Sequence, residues 1–164
     1  MRTDAPGVDL RPREELTADS TRGIEVSELA RGEEAAWDRF VTASPTGTFF
    51  HLIGWREIVG KSLGHRCFHL VARREGRITG VFPFAWIRNR VFGDCMVSLP
   101  LTVYGGICAD NPESYFSLLK AARNIAELHG VKYLEMRNRT EPFGRSRVRT
   151  TGAPRNRNSM ARFQ

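Results

Sequence analysis

From Ile24 to Leu29 apolar and polar residues alternate, the period-two signature of a half-buried strand. The period changes to 3.6 residues across Gly32 to Ala43. There Ala36, Trp37, Phe40 and Val41 share one side, and Glu33, Glu34 and Asp38 give the early acidic bias that suits a helix dipole. Ser44-Pro45-Thr46-Gly47 breaks this helix. Thr48-Phe49-Phe50-His51 leads into a second one, whose Trp55, Ile58, Val59 and Ser62 share a face up to a stop at Gly64. Arg66 to Ile87 predicts a hairpin, because the β-rich runs Cys67 to Ala72 and Ile78 to Ile87 flank Glu75-Gly76, where glycine accommodates a positive φ. Both runs are apolar on both faces, which places them in the middle of a sheet with helices on each side. Pro83 has no N–H to donate, so a bulge or a locally unpaired point is expected there.

A further strand is expected from Cys95 to Leu99, ahead of Pro100. After the loop Leu101 to Asp110, Asn111-Pro112-Glu113 reads as an N-cap with proline at the first helical position. The helix it opens runs to His129, buries Tyr115, Leu118, Leu119, Ala122 and Ala126, and stops at Gly130; Val131 to Met136 is the last expected strand. The order β, α, α, β, β, β, α, β defines a mixed α/β domain with a central sheet and flanking helices. Residues 1–22, rich in Pro, Asp, Glu and Arg, read as a flexible leader. Beyond Asn138 periodicity vanishes, and Phe143, Val148, Met160 and Phe163 stand isolated among Arg, Asn, Gly and Thr. The expected organisation is a leader over 1–22, one domain over 23–138 and a disordered basic tail over 139–164.

Charge sharpens that division. The whole chain of 164 residues carries +7, but seven arginines against one glutamate after Asn138 supply +6 of it and leave +1 for residues 1–138. Nucleic acid is therefore not the expected partner of the domain itself. Three cysteines, Cys67, Cys95 and Cys108, form neither a C-x-x-C pair nor a disulfide framework, which fits a reducing, cytoplasmic compartment. No stretch reaches the roughly 18 apolar residues of a membrane span.

Three clusters stand in succession: Phe49-Phe50-His51-x-x-Gly54-Trp55, Gly64-His65-Arg66-Cys67-Phe68, and Pro100-x-x-Val103-Tyr104-Gly105-Gly106. Together with the Arg-x-Gly-Arg-Ile-x-Gly-Val-x-Pro hairpin, they resemble the FemAB-like branch of the Gcn5-related N-acetyltransferase (GNAT) superfamily, in the form associated with exosortase and exopolysaccharide loci. The resemblance spans about Ile24 to Asn138. It implies an acyl-CoA N-acyltransferase-like fold and transfer of an acyl or aminoacyl group, from acyl-CoA or aminoacyl-tRNA, to a small-molecule or glycan-linked amine acceptor. Members of the family are similar to two such halves in tandem. The arginine-rich tail begins where the second half is expected, so the chain reads as a truncated or frameshifted first half, inactive alone, with an apolar face open to self-association.

The Gln/Arg-x-x-Gly-x-Gly/Ala loop, whose backbone N–H groups cradle a coenzyme A pyrophosphate, is not found. Tyr104-Gly105-Gly106 is the nearest glycine-rich loop before a helix, read either as a tight turn or as a close approach to ligand. Phe50, Trp55 and Phe49 line a substrate groove in the functional reading and are mostly core in the bland one. His51 is a helix-start cap or a general base. Arg137, at the end of the last strand, reaches a site or stands in solvent. His65, Cys67 and His69 share a strand face, but a closed zinc site needs a fourth ligand, and no metal is expected. The competing function is a standalone binding or scaffold module whose basic tail contacts an anionic surface or nucleic acid.

Overall fold

The computed structural model describes residues 23–88, 93–100, 102, 105–131, 133–137 and 148–149; the expected leader and nearly all of the expected tail lie outside them. The chain runs through β1 (Glu25–Glu28), α1 (Glu34–Ala43), a 3-10 turn (Phe49–His51) and α2 (Ile53–Leu63). It continues through β2 (Arg66–Arg74), β3 (Arg77–Ile87), β4 (Cys95–Val97), β5 (Cys108–Ala109), α3 (Pro112–Leu128), β6 (Tyr133–Glu135) and β7 (Val148–Arg149). All eight expected elements are present in the expected order. The two additions, β5 and β7, are two residues each, too short to carry a period.

The sheet order is β1-β2-β3-β4-β6-β7, with β5 also pairing β3. β1 to β4 are antiparallel, β4 and β6 are parallel (Met96 opposite Leu134), and β7 closes antiparallel on β6. The β4–α3–β6 crossover makes the sheet mixed, since a parallel pair requires a long connection, here the helix. Helix α3 starts where Asn111 Oδ1 accepts the Ser114 N–H at 2.9 Å, with Pro112 at N1, so one orphan donor is satisfied and another is absent by chemistry.

Alternation along β2 and β3 sorts the core into two layers. Phe68, Leu70, Ala72, Phe82 and Phe84 face α3, meeting Tyr115, Leu118, Ala122 and Ala126. Val71 and Val81 face the other way, toward Trp37 and Val41 of α1. Trp37 is fully buried and its Nε1–H donates to the His51 carbonyl at 2.6 Å, while Asp38 Oδ1 accepts the Ile53 N–H at 2.8 Å. These two bonds fix the 3-10 turn and α2 against α1.

Some expectations need correction. The register shift in the hairpin lies at Ala72/Arg73, not at Pro83, which pairs with His69. On its other side β3 meets β5 at Gly80–Val81 and β4 at Ala85–Ile87, so Pro83 stands in the interval between the two ladders, the locally unpaired point expected there, where a missing donor is tolerated. On α2, Val59 is buried but Ile58 is 45% exposed, and Ser62 lies outside the described side chains; the helix meets the sheet along a narrower stripe than its apolar residues suggested. Val148–Arg149, within the expected tail, form a strand on the β6 edge, with Val148 opposite Leu134.

Candidate functional site

Loop 98–106 emerges from the C-terminal end of β4 and is tied to the end of β6. The Ser98 N–H donates to the Glu135 carbonyl (2.9 Å), the Arg137 N–H to Ser98 Oγ (2.9 Å) and the Gly105 N–H to the Arg137 carbonyl (2.8 Å). The Arg137 guanidinium completes the clasp, with Nε on Glu135 Oε1 at 2.8 Å and Nη1 on the Thr102 carbonyl at 3.1 Å. Its side chain stays 40% exposed, so further guanidinium N–H groups remain available at the strand end. Leu99 opens the loop with φ 43°, immediately before Pro100, a left-handed conformation costing a non-glycine residue about 1 kcal/mol or more. Its carbonyl accepts from Thr102 Oγ1 (2.9 Å), and its side chain fills the space a Cβ on Gly105 would need: that atom would fall 2.6 Å from Leu99 Cδ1. Gly105 is thus required by close approach. Gly106 is buried beside it, and Tyr104 lies outside the described residues.

His51 joins this loop to the α1–α2 connection. Thr48 caps the 3-10 turn, its N–H donating to His51 Nδ1 at 3.2 Å and its Oγ1 lying 2.8 Å from the same atom. With Nδ1 accepting, the proton sits on Nε2, which donates to the Gly106 carbonyl at 3.0 Å. Burial pushes the imidazole below its ordinary range, and the hydrogen bond to Gly106 opposes that shift. Both ring nitrogens are occupied inside the protein, so in this geometry His51 is a cap and a latch, not a free base.

Beside the latch, Phe49, Phe50 and Trp55 form a T-shaped trio with centroid separations of 5.2–6.1 Å. Phe49, expected mostly as core, is 67% exposed; Phe50 and Trp55 are half-buried, and Trp55 Nε1 is buried without an acceptor. A small apolar cleft lined by Val59, Cys67, Pro83, Ala85, Leu99 and Pro100 runs beneath α2 to the same loop. Hydrogen bonds therefore link His51, Gly106, Gly105 and Arg137 at the end of the sheet where β4 and β6 finish, and the aromatic trio adjoins them through Phe50, the neighbour of His51 in sequence. Ser98, Thr102 and Glu135, which carry the clasp, escaped the sequence reading; the only signal is Ser-Leu-Pro-x-Thr after an apolar strand. His69 is buried edge-on to Trp37, and no group of three metal-binding side chains occurs among the described residues.

The start of α3 does not fit a coenzyme A pyrophosphate. Ser114 N–H is taken by Asn111 Oδ1, Tyr115 N–H by the Asn111 carbonyl, Pro112 has no N–H, and Glu113 puts a carboxylate in the first turn.

A mixed sheet of this order, with a parallel pair bridged by one helix and two helices on the opposite face, is the GNAT acetyltransferase fold. Solved structures bear this out. FemX superposes with a TM-score of 0.55 at 21% identity, over 67% of this chain and 26% of FemX, so the chain spans about a quarter of that protein. A ribosomal-protein-alanine N-acetyltransferase from Brucella melitensis biovar Abortus 2308 gives 0.53 at 13% identity, over 73% of this chain and 83% of its own. A GNAT family acetyltransferase from Staphylococcus aureus subsp. aureus USA300_TCH1516 gives 0.53 at 10%, over 78% and 96%. No family model and no curated protein matches the sequence. No helix among the described residues is long and apolar enough to cross a membrane.

Proposed function

We propose that residues 23–138 are the acceptor-binding first half of a FemAB-type acyl or aminoacyl transferase. The contact from His51 Nε2 to the Gly106 carbonyl carries the reading, because it holds the aromatic trio against the loop at the ends of β4 and β6. An apolar wall of Phe49, Phe50 and Trp55, tied through His51 and Gly105–Gly106 to the half-exposed Arg137, suits an amine acceptor on a glycan-linked peptide, whose aliphatic stem packs on the rings while a carboxylate meets the guanidinium. The self-capped α3 supports a half that does not itself hold acyl-CoA.

Isothermal titration with a soluble muropeptide bearing a free side-chain amine tests the reading. Saturable binding that Trp55→Ala and Arg137→Gln each weaken about tenfold is expected. Equal affinity in both variants, or no heat at millimolar ligand, would overturn it. A melting temperature raised by acetyl-CoA would point instead to a self-contained acetyltransferase.

A further inference from the structure

At the opposite end of β4 and β6, the face of the sheet that α3 covers runs on past the helix. Helix α3 is antiparallel to both strands, so His129 at its C-cap lies over their starts. Beyond Phe68 and Phe84, which α3 covers, the next cross-strand row on that face is Arg66 opposite Trp86, and Arg88 follows two residues on. The five side chains interlock. Arg66 lies 4.8 Å over the Phe68 ring and Arg88 4.3 Å over the Trp86 ring; His129 stacks on Trp86 at 4.3 Å and reaches Phe68 at 5.9 Å. Burial first, then the charges of Arg66 and Arg88, hold the His129 imidazole below its ordinary range, so both guanidiniums bear on one neutral ring.

Among the described residues no ion pair holds either guanidinium, whereas Arg73 and Arg137 are paired with Glu33 and Glu135 at 2.6 and 2.8 Å. Both are exposed, and among the described residues their side chains contact ring faces, which leaves the in-plane N–H forks unspent there. Trp86 Nε1 is buried with no acceptor, a further unused donor in the same cluster. Two positive forks, each held on an aromatic face and carried on neighbouring strands, match a doubly charged oxyanion better than a single carboxylate.

We propose that Arg66 and Arg88, backed by Phe68, Trp86 and His129, form a binding site for a phosphate ester or pyrophosphate group, distinct from the acceptor site at the other end of the strands. The source is either a free phosphorylated metabolite or a lipid headgroup.

The test is a titration of the full chain with inorganic pyrophosphate, followed by NMR of the Trp86 indole and His129 imidazole, with sodium chloride at matched ionic strength as control. Local readout is needed because the arginines after Asn138 bind anions in bulk. Saturable shifts at both signals are expected, weakened about tenfold in each of Arg66→Gln and Arg88→Gln and unchanged in Arg31→Gln. A nucleoside diphosphate that saturates the same signals identifies a free phosphate. Shifts seen only with phosphatidic acid-containing vesicles, and lost in the same two variants, identify a headgroup. Signals that stay still with every probe, move equally in chloride, or move equally in the two variants would overturn the site. The amide spectrum of each variant reports whether it has folded, and because the acceptor titration reads Trp55 and Arg137, failure here leaves that reading standing.

Discussion

His51 is held from both sides, so its removal leaves two buried partners unsatisfied: the Gly106 carbonyl and the Thr48 N–H. Replacing it with alanine is expected to cost about 2–4 kcal/mol in chemical denaturation. The same residue sets a pH dependence. Its folded-state pKa lies below the unfolded value of 6.5, so the stability it provides is complete above that pH and is lost as pH falls toward the folded value. Melting temperature should therefore drop between about pH 7.5 and 5.5, and His51→Gln should flatten that slope. The more exposed His129, shifted in the same direction, supplies a residual slope. At Gly105 the obstacle is steric. A methyl group there meets Leu99, itself held at positive φ, and Gly105→Ala should destabilise by about 1–3 kcal/mol while loosening the Arg137 clasp.

At the scale of elements, period and punctuation carried most of the prediction. The hairpin and the three helices were legible because each is long or sharply punctuated. The Asn111-Pro112 start of α3 is the clearest case, and Asn111→Ala should cost about 0.5–2 kcal/mol, read as a lower denaturant midpoint. The candidate site was legible only by halves. Phe50, Trp55 and Arg137 show in the sequence as residue types; what joins them is a backbone clasp at Ser98, Thr102 and Gly105, and backbone bonds leave no compositional trace. The exposure of Phe49 and Ile58 was likewise hidden, because an apolar residue at the margin of a stripe looks the same whether or not the facing sheet reaches it. β7 was missed because Val148 stands alone among polar neighbours, and two residues establish no alternation.

Across the whole molecule, the sheet is closed at its β6 side by the short β7. A chain ending at Arg137 would expose that edge, so amide exchange at Tyr133–Glu135 should accelerate while β2 and β3 stay protected. The hairpin that joins those two strands has a kinetic consequence as well. Its two-residue turn puts both Glu75 (φ 51°) and Gly76 (φ 76°) in the left-handed region, the arrangement whose twist matches the flanking strands, and nine residue pairs follow from it across the register shift at Ala72/Arg73. The parallel pairing of β4 with β6 must instead wait for all of α3 to be spanned. The ladder closing the least loop entropy should therefore form first, so Gly76→Val is expected to slow refolding more than it speeds unfolding, while Leu134→Ala does the reverse. On that order, the end of the sheet carrying Arg137 and loop 98–106 is the last part of the domain to assemble.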